Sequence, residues 1–548
     1  MKRLIGLFII FCCWPLSAAI LPDNIYFRAM NDEMQRSLTQ LRLKDHPIPY
    51  YLVYQLSHFR RLNIAADMGT VAPAIYDPSA QDSLLATVFV SVGSDKHDGL
   101  GFSDAEPYSW NYYNAQLAHE FAYPSYEAIR QRLWKLTDRA YLQAADLYKK
   151  KKVYKSQKNI QDVFPDVVVE QPAQWVDKIP EFVWPDTQRL QTYVQRISAL
   201  GKDLPYVELF RANLMILQRN IYFLNSRGAL AQYQLPMYRL DLRSVFRQPD
   251  GKIANASTVL WLKDVSDAEM DRALKQARSF VVRIKAAYGA KNGEAYIGPV
   301  LLKPQAAARF LSRAVLLDMQ DSKPWLLSYA EDDQSAGLLY KKRALRVSTD
   351  LLTMYDYPRL RQFQGVPLAR FTPVDDEGVA TQDLTLVQNG HAKDFPLSQR
   401  PLTKDHHSNG HGFVSTLYGP RERLTNIWVE PKETWSDEQM EEKLRERCRA
   451  LGLEYGYILH QAEPDGDLGI ERIYTADGRK ETVLNLKWDG NFFTQRDLRG
   501  VLAVGGKQQL AENFDDWVVI TPSVLMEEVE LVPKEHKPHR KPFIAKPK

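Results

Sequence analysis

The sequence predicts an α+β protein with an N-terminal α/β domain built on long helices, a helical joining segment, and a C-terminal, mostly antiparallel β domain. Three observations predict this. Long segments with helical spacing of apolar residues occupy the first third of the chain, and the longest starts at a serine. Runs rich in Val, Tyr and Leu, bounded by Gly and Asp turns, fill residues 206–262. After about residue 335 short strands alternate with turns, most clearly in QDLTLVQNGHAKDF, where Asn389-Gly390 suits the two positive φ angles of a type I′ hairpin.

Taken in order, IYFRAMNDEMQRSLTQLRLK (25–44) sets Met30, Met34, Leu38 and Leu41 on one helical face. PYYLVYQLSHFRRLNIAADMG and LLATVFVSVGS (84–94) read as strands. Residues 125–155 form a long helix with Ile129, Leu133, Leu136 and Ala140 on one face, and Lys149–Lys152 reads as its solvated end. Turns are expected at Asn225–Gly228 and Asp250–Gly251. Ser266 and Glu269 form a capping box that opens a helix to about Tyr288. YIGPVLL (296–302) reads as a strand, followed by a helix from Pro304 through QAAARFLSRAVLL. A second box, Ser436 and Gln439, opens a helix over 436–451. The expected organisation is a leader over 1–19, an N-terminal domain over 20–235 and a central segment of strands and two helices over 236–330. A β-rich domain over 331–531 and a basic, Pro-rich tail over 532–548 follow.

The first residues, MKRLIGLFIIFCCWPLSAA, join a basic start (Lys2, Arg3) to a short apolar run and small residues. That is the pattern of a secretory signal, with cleavage expected after Ala19 and a periplasmic or secreted destination. No later segment is apolar enough to span a bilayer. The formal charge of +4 belongs to the ends: the tail holds six Lys/Arg against one Glu, and the leader adds two more cations. The body between them is mildly acidic and has no basic patch interleaved with aromatics, which argues against a nucleic-acid partner. Cys12 and Cys13 fall in the leader, so Cys448 is left alone. It reads as a half-buried helix cysteine without a disulfide partner.

Two stretches invite a chemical reading. KDHHSNGHGF (404–413) holds His406, His407 and His411, which could supply three imidazoles to a metal. Asn409, Gly410 and Gly412 exclude a helix that would present two of them on one face. Asp375-Asp376-Glu377-Gly378 could hold a hard cation or act as acid and base, and equally could cap a turn. His119-Glu120 begins like HExxH, but Tyr123 and Pro124 follow where a helix and a second histidine are needed. Neither HExxH nor HExxxH occurs anywhere, and GxSxG, a Walker A loop and CxxC are absent too.

Read together, several segments resemble the TldD/PmbA (TldD/TldE-type) metallopeptidase family in its exported, signal-bearing branch. They are RAMNDEMQRSLTQLRLKDHPIPYYLVYQ, YEAIRQRLWKLTDRAYLQAADLYKKKK, LNSRGALAQYQLPMYRL and AYIGPVLLKPQAAARFL. FQGVPLARFTPVDDEGVATQDLTLVQNGHAKDFPLSQRP, SNGHG, RLTNIWVEP and ITPSVLMEEVEL complete the series. Tyr355-Asp356-Tyr357-Pro358 departs from the Asp-Asp-Pro-Thr type sequence more usual there. The resemblance implies a paired system. One subunit carries HExxxH with zinc and cleaves unfolded or extended peptides, and the other shares the fold without the motif. Here the corresponding region, Gly298–Arg313, holds no His, Asp, Glu or Cys, and its Gln305 and Arg309 cannot replace two imidazoles and a base.

The resemblance therefore implies a non-catalytic, TldE-like subunit with no cofactor of its own, the zinc residing in a partner. It would act as a heterodimer with an HExxxH-bearing homologue or as a homodimer. Residues Asp375, Asp376, Glu377, Gly378, Ser408, Asn409, Gly410, His411 and Gly412 are expected to shape a chamber that contacts peptide or partner. Two alternatives stand beside it: a non-enzymatic envelope peptide-binding protein, and an autonomous metallohydrolase built on His406, His407 and His411.

Overall fold

A computed structural model of the chain describes residues 21–72, 80–103, 117–121, 124–320, 326–327, 340, 346–415, 419–461, 469–488, 497–514 and 517–534. The leader and the tail beyond residue 534 lie outside the described residues. The fold is α+β. No described helix is long and apolar enough to cross a membrane.

The first half is one sheet with helices on one face. Its strands are β1 (Pro49–Asp67), β2 (Ala80–Val92), β3 (Leu117–Phe121), β4 (Gln174–Val176), β5 (Val207–Asn225), β6 (Leu230–Arg247) and β7 (Ile253–Trp261). They lie in the order β3-β2-β1-β5-β6-β4, with β7 against the rest of β6 and the short Thr70–Ala72 against β1. Side chains alternate between the faces of a strand, and β1 shows it. Leu52, Tyr54, Leu56, Leu62 and Ile64 meet the helices, while Tyr51 and Val53 meet Phe371 and Val374 from the second half. Helices α1 (Ile25–Gln40) and α2 (Tyr126–Gln157) bury Phe27, Met30, Met34, Ile129 and Leu133 at one end of the face. Helices α3 (Thr187–Ser198) and α4 (Asp267–Ala287) bury Leu190, Val194, Met270 and Phe280 at the other.

The second half places a helix between two sheets. One sheet contains β8 (Tyr296–Leu302), and the other contains β9 (Leu352–Asp356), β10 (Leu384–Gln388) and β11 (Asn426–Pro431). The first sheet also contains β12 (Tyr455–Leu459), β13 (Ile470–Tyr474), β14 (Lys480–Leu484), β15 (Val501–Val504) and the long β18 (Val524–Pro533), with the short Lys291–Asn292 and Leu486–Trp488 at its edges. The second gains β16 (Gln509–Asn513) and β17 (Val518–Thr521). Most pairings are antiparallel; β8–β12 and β11–β17 are parallel. Helix α5 (Pro304–Leu311) runs between the sheets and continues as a wider π turn over Ser312–Leu316. Its Ala306, Ala307 and Ala308 are fully buried, and such small residues let both sheets approach it closely. Val300 and Leu302 of β8 face α5. Leu301, between them, faces α6 (Asp437–Ala450) on the outer side of the same sheet.

Several expectations need correction. Lys151 is not solvated: its ammonium pairs with Asp166 at 2.8 Å and donates to the Leu100 carbonyl at 2.6 Å. It continues the inward stripe of α2 one turn beyond Tyr148, and burial pushes its pKa down. The box at Ser266 closes on one side only. Ser266 Oγ accepts from Glu269 N, but the Glu269 carboxylate accepts from Lys263 N and pairs with Arg272. The box at Ser436 and Gln439 is complete. Cys448 is fully buried, not half-buried. His119 and Glu120 lie on β3, paired to β2. The boundary drawn at 235/236 falls inside β6, and the central segment divides between α4, on the first sheet, and β8 with α5, in the second half. The Asn389-Gly390 turn is present, with φ angles of 51° and 77°.

Because Phe310 is fully enclosed between the sheets, Phe310→Ala is expected to cost about 3–5 kcal/mol. Urea unfolding followed by tryptophan fluorescence would show a lower midpoint at unchanged slope.

Candidate functional site

The two stretches singled out in the sequence, near 375 and near 410, form one unit. Asp375 Oδ1 accepts from Glu377 N (3.0 Å) and Val379 N (2.8 Å), the self-closing turn of an aspartate. Its Oδ2 reaches across to Gly412 N at 2.9 Å. Asp376 N donates to the Gly412 carbonyl, and Gln382 N to the Asn409 carbonyl. Gly410 sits at a φ of 76°, and a Cβ there would overlap the Ala380 carbonyl. A Cβ on Gly412 would overlap Glu377 Oε2.

This unit also bolts the halves together. The Glu377 carbonyl accepts from Tyr51 Oη at 2.9 Å, Gln399 Nε2 at 3.2 Å and Asn225 Nδ2 at 3.4 Å. Asn225 closes its own turn as well, since its Oδ1 accepts from Arg227 N and Ala229 N. Glu377 Oε2 takes Gln399 N at 2.7 Å, and the Gly378 carbonyl takes Ala173 N at 2.9 Å. Asp375, Glu377, Ser408 and His411 are buried. Burial keeps those side chains from touching a peptide in the single chain; Asp376 is half-buried.

The three histidines go separate ways. His406 is buried; its Nε2 donates to the Ser398 carbonyl at 2.7 Å and its Nδ1 accepts from Leu402 N at 3.3 Å. His407 is exposed beside Glu170. His411 is fully enclosed, with Nδ1 near the Asn409 carbonyl and side-chain oxygen and Nε2 3.4 Å from Asp356 Oδ2. Asp356, noted in the sequence only as part of the departing stretch Tyr355–Pro358, takes Thr425 N, Thr425 Oγ1 and Asn426 N on its carboxylate. Among the described residues no three His, Cys, Asp or Glu side chains are arranged to hold a metal ion. The donor set therefore does not fit zinc at the histidine loop or on α5, where Gln305 and Arg309 are the polar side chains.

A second feature was invisible in the sequence. A cleft of about 600 Å³ opens between the halves. One wall is β7, which among the described residues pairs with β6 alone; the other includes β16, which among them pairs with β17 alone. Gln305, in the first turn of α5, lies on its lining together with Lys263, Arg272, Arg283, His460 and Lys507. Among the described lining residues there is no Asp or Glu. His460 is held by Glu471 at 2.8 Å, a bond that pulls the Glu471 pKa down. No sequence signal could have found this site, because its residues come from five separate segments.

Fold and site together define a two-part scaffold in which a cleft meets the first turn of a buried helix. Residues 295–532 match the model of the PmbA/TldA metallopeptidase C-terminal domain. That match spans a little under half of the chain and makes its C-terminal region, 295–532, a domain of the TldD/PmbA family. A search of curated proteins finds no significant match. Among solved structures, a protein described as a candidate modulator of DNA gyrase from Thermotoga maritima is similar over 92% of this chain and 100% of its own, at 14% identity and a TM-score of 0.59. TldE from Thermococcus kodakarensis is similar over the same shares at 15% identity and a TM-score of 0.57. A candidate DNA gyrase modulator from Bacteroides thetaiotaomicron is similar over 92% of this chain and 98% of its own, at 13% and 0.53. These likenesses show a shared fold.

The packing of the loop unit makes Gly410→Ala and Gly412→Ala costly, by about 1–3 kcal/mol each, readable as lowered thermal midpoints. Burial pushes the Asp375 carboxyl up to about 7, and burial plus the Asp375 charge push Glu377 well above the usual range. The unfolded chain releases these protons near about pH 4. The raised pKa of Asp375 therefore gives stability that is fully present below about pH 4 and lost as pH climbs to about 7. Glu377→Gln keeps an oxygen for Gln399 N–H and cannot ionise, so it should flatten the fall of the urea midpoint over that interval. An unchanged slope would show that Glu377 is already ionised at pH 5.

Proposed function

We propose that this chain is the zinc-free, TldE-like member of an exported two-subunit peptidase that handles unfolded or extended peptides. One observation carries the reading: the helix that corresponds by resemblance to the family's zinc helix is α5, and it has no ligating side chain while its first turn lines an open cleft. Hydrolysis of the family's kind needs two imidazoles, a further ligand and a base for water. A chain without them contributes by holding peptide and by completing the assembly with an HExxxH-bearing partner. The two exposed strand edges beside the cleft support peptide capture as an added strand. The basic start and apolar run of residues 1–19 support export.

The mature chain purified alone is expected to contain far less than one equivalent of zinc and to show no peptidase activity, with Ile20 at its N-terminus after secretion. Co-expression with an HExxxH-bearing relative should yield a stable complex that cleaves an unfolded protein such as casein. Stoichiometric zinc with peptidase activity in the lone chain would overturn the proposal. Failure of any HExxxH relative to associate would leave a pure binding protein instead.

A further inference from the structure

Several cations on the sheet surfaces are compensated, as Arg211 is by Asp67 and Arg239 by Asp241. Arg272 on the cleft wall is another example, bonded through Nε to Glu269 at 2.8 Å. Its neighbours on the lining differ: Lys263, Arg283 and Lys507 form no ion pair with any described residue. Arg283 is half-buried with its guanidinium 5.4 Å from the Phe280 ring centre, and burial pushes its pKa down. The carboxylate that acts on Arg283, Glu471, is already bonded to His460 at 2.8 Å and offsets the burial of Arg283 only in part; an anionic ligand in the cleft would offset the rest. The backbone is equally unfinished. The Ser257 carbonyl of β7 accepts from the Gln461 amide at 3.3 Å, and Gln461 and the following β7 residues Thr258–Trp261 line the cleft. An edge strand with open N–H and C=O groups is a template for another chain.

We propose that the cleft between β7 and β16 takes an extended, acidic polypeptide segment, added as a strand to β7 with its Asp or Glu side chains set against Lys263, Arg283 and Lys507. This rests on the peptide-handling reading above and names its substrate class. The pattern suits a carboxylate-bearing peptide better than a nucleic acid. Three scattered cations on a mildly acidic body are too few to follow a phosphate backbone, and glutamine amides supply the remaining polar lining, with donors and acceptors for a peptide main chain.

The test is fluorescence anisotropy of the mature chain with fluorescein-labelled unstructured decapeptides. One carries Asp or Glu at alternate positions, one is the uncharged Asn/Gln analogue, one is a Lys analogue, and one is the acidic peptide N-methylated at alternate residues. The acidic peptide should bind about tenfold tighter than the uncharged one, with the Lys analogue weakest, and the preference should shrink at high salt. Lys263→Gln with Lys507→Gln, both at exposed positions, should lower acidic-peptide affinity about five- to tenfold with an unchanged circular dichroism spectrum. Arg283→Gln should do likewise. N-methylation should abolish most of the binding. Equal affinity for acidic and uncharged peptides would overturn the acidic preference and leave peptide handling intact. Undiminished binding of the N-methylated peptide would overturn strand addition. Binding of none of the peptides would overturn both readings together.

Discussion

The peptide carbonyl of Glu377 is the contact on which the two-part architecture depends. It lies where a polar face of the first sheet meets the second half, and it is out of reach of water. A buried carbonyl without donors costs about 1–3 kcal/mol; this one receives three, from Tyr51, Asn225 and Gln399. Two of those donors belong to the first sheet and one to the second half, so the hydrogen bonds form together only when the halves are correctly registered. Phe371 and Val374 complete the joint by packing on Tyr51, Val53 and Phe223. With the joint set, the separation of β7 and β16 follows, and so does the cleft.

The joint explains why so many polar groups crowd the segment 375–412 without forming a reactive centre. Asp375 spends its oxygens on three backbone N–H groups, Asn409 spends its amide on Leu397 N and the Phe395 carbonyl, and Ser398 bonds Glu422. A carboxylate used in this way is buried and fixed by three N–H groups, with its orientation set by the backbone. The same burial acts on charge: it raises the pKa of both Asp375 and Glu377, and the Asp375 charge raises that of Glu377 further.

Much of the fold was legible. The capping serines at 125 and 436, the alternation in β1 and the Asn389-Gly390 turn each act locally, and local chemistry survives in a linear reading. Lys151 shows the limit. Four consecutive lysines look like a solvated end, yet one of them lies in line with Tyr141, Ala144 and Tyr148 and finds Asp166 waiting. The partner lies in a segment that carries no mark of it. The Ser266 box failed for a similar reason: Glu269 had a stronger claim from Arg272. The pairing of 375 with 412 and the opening of the cleft are juxtapositions of remote segments, and no periodicity records them. The histidine trio misled in the opposite sense, because closeness in sequence on a glycine-bearing loop sends each ring to a different neighbour.

What α5 has become bears on how such a chain can serve a peptidase at all. Its alanines and Phe310 are wedged between two sheets, so ligands could not be restored there by changing one or two residues; a histidine at 306 or 307 would enter the core. Gln305 alone looks into the cleft. Zinc ligation on α5 is thus opposed by packing as well as by residue type, and on the proposed reading the chain's contribution is binding energy. Binding remote from the scissile bond raises the rate only if it is used to align and hold the substrate where another subunit reacts. A strand edge is suited to that task, since it fixes the direction and register of a chain through its main-chain groups and leaves alternate side chains to be selected by charge.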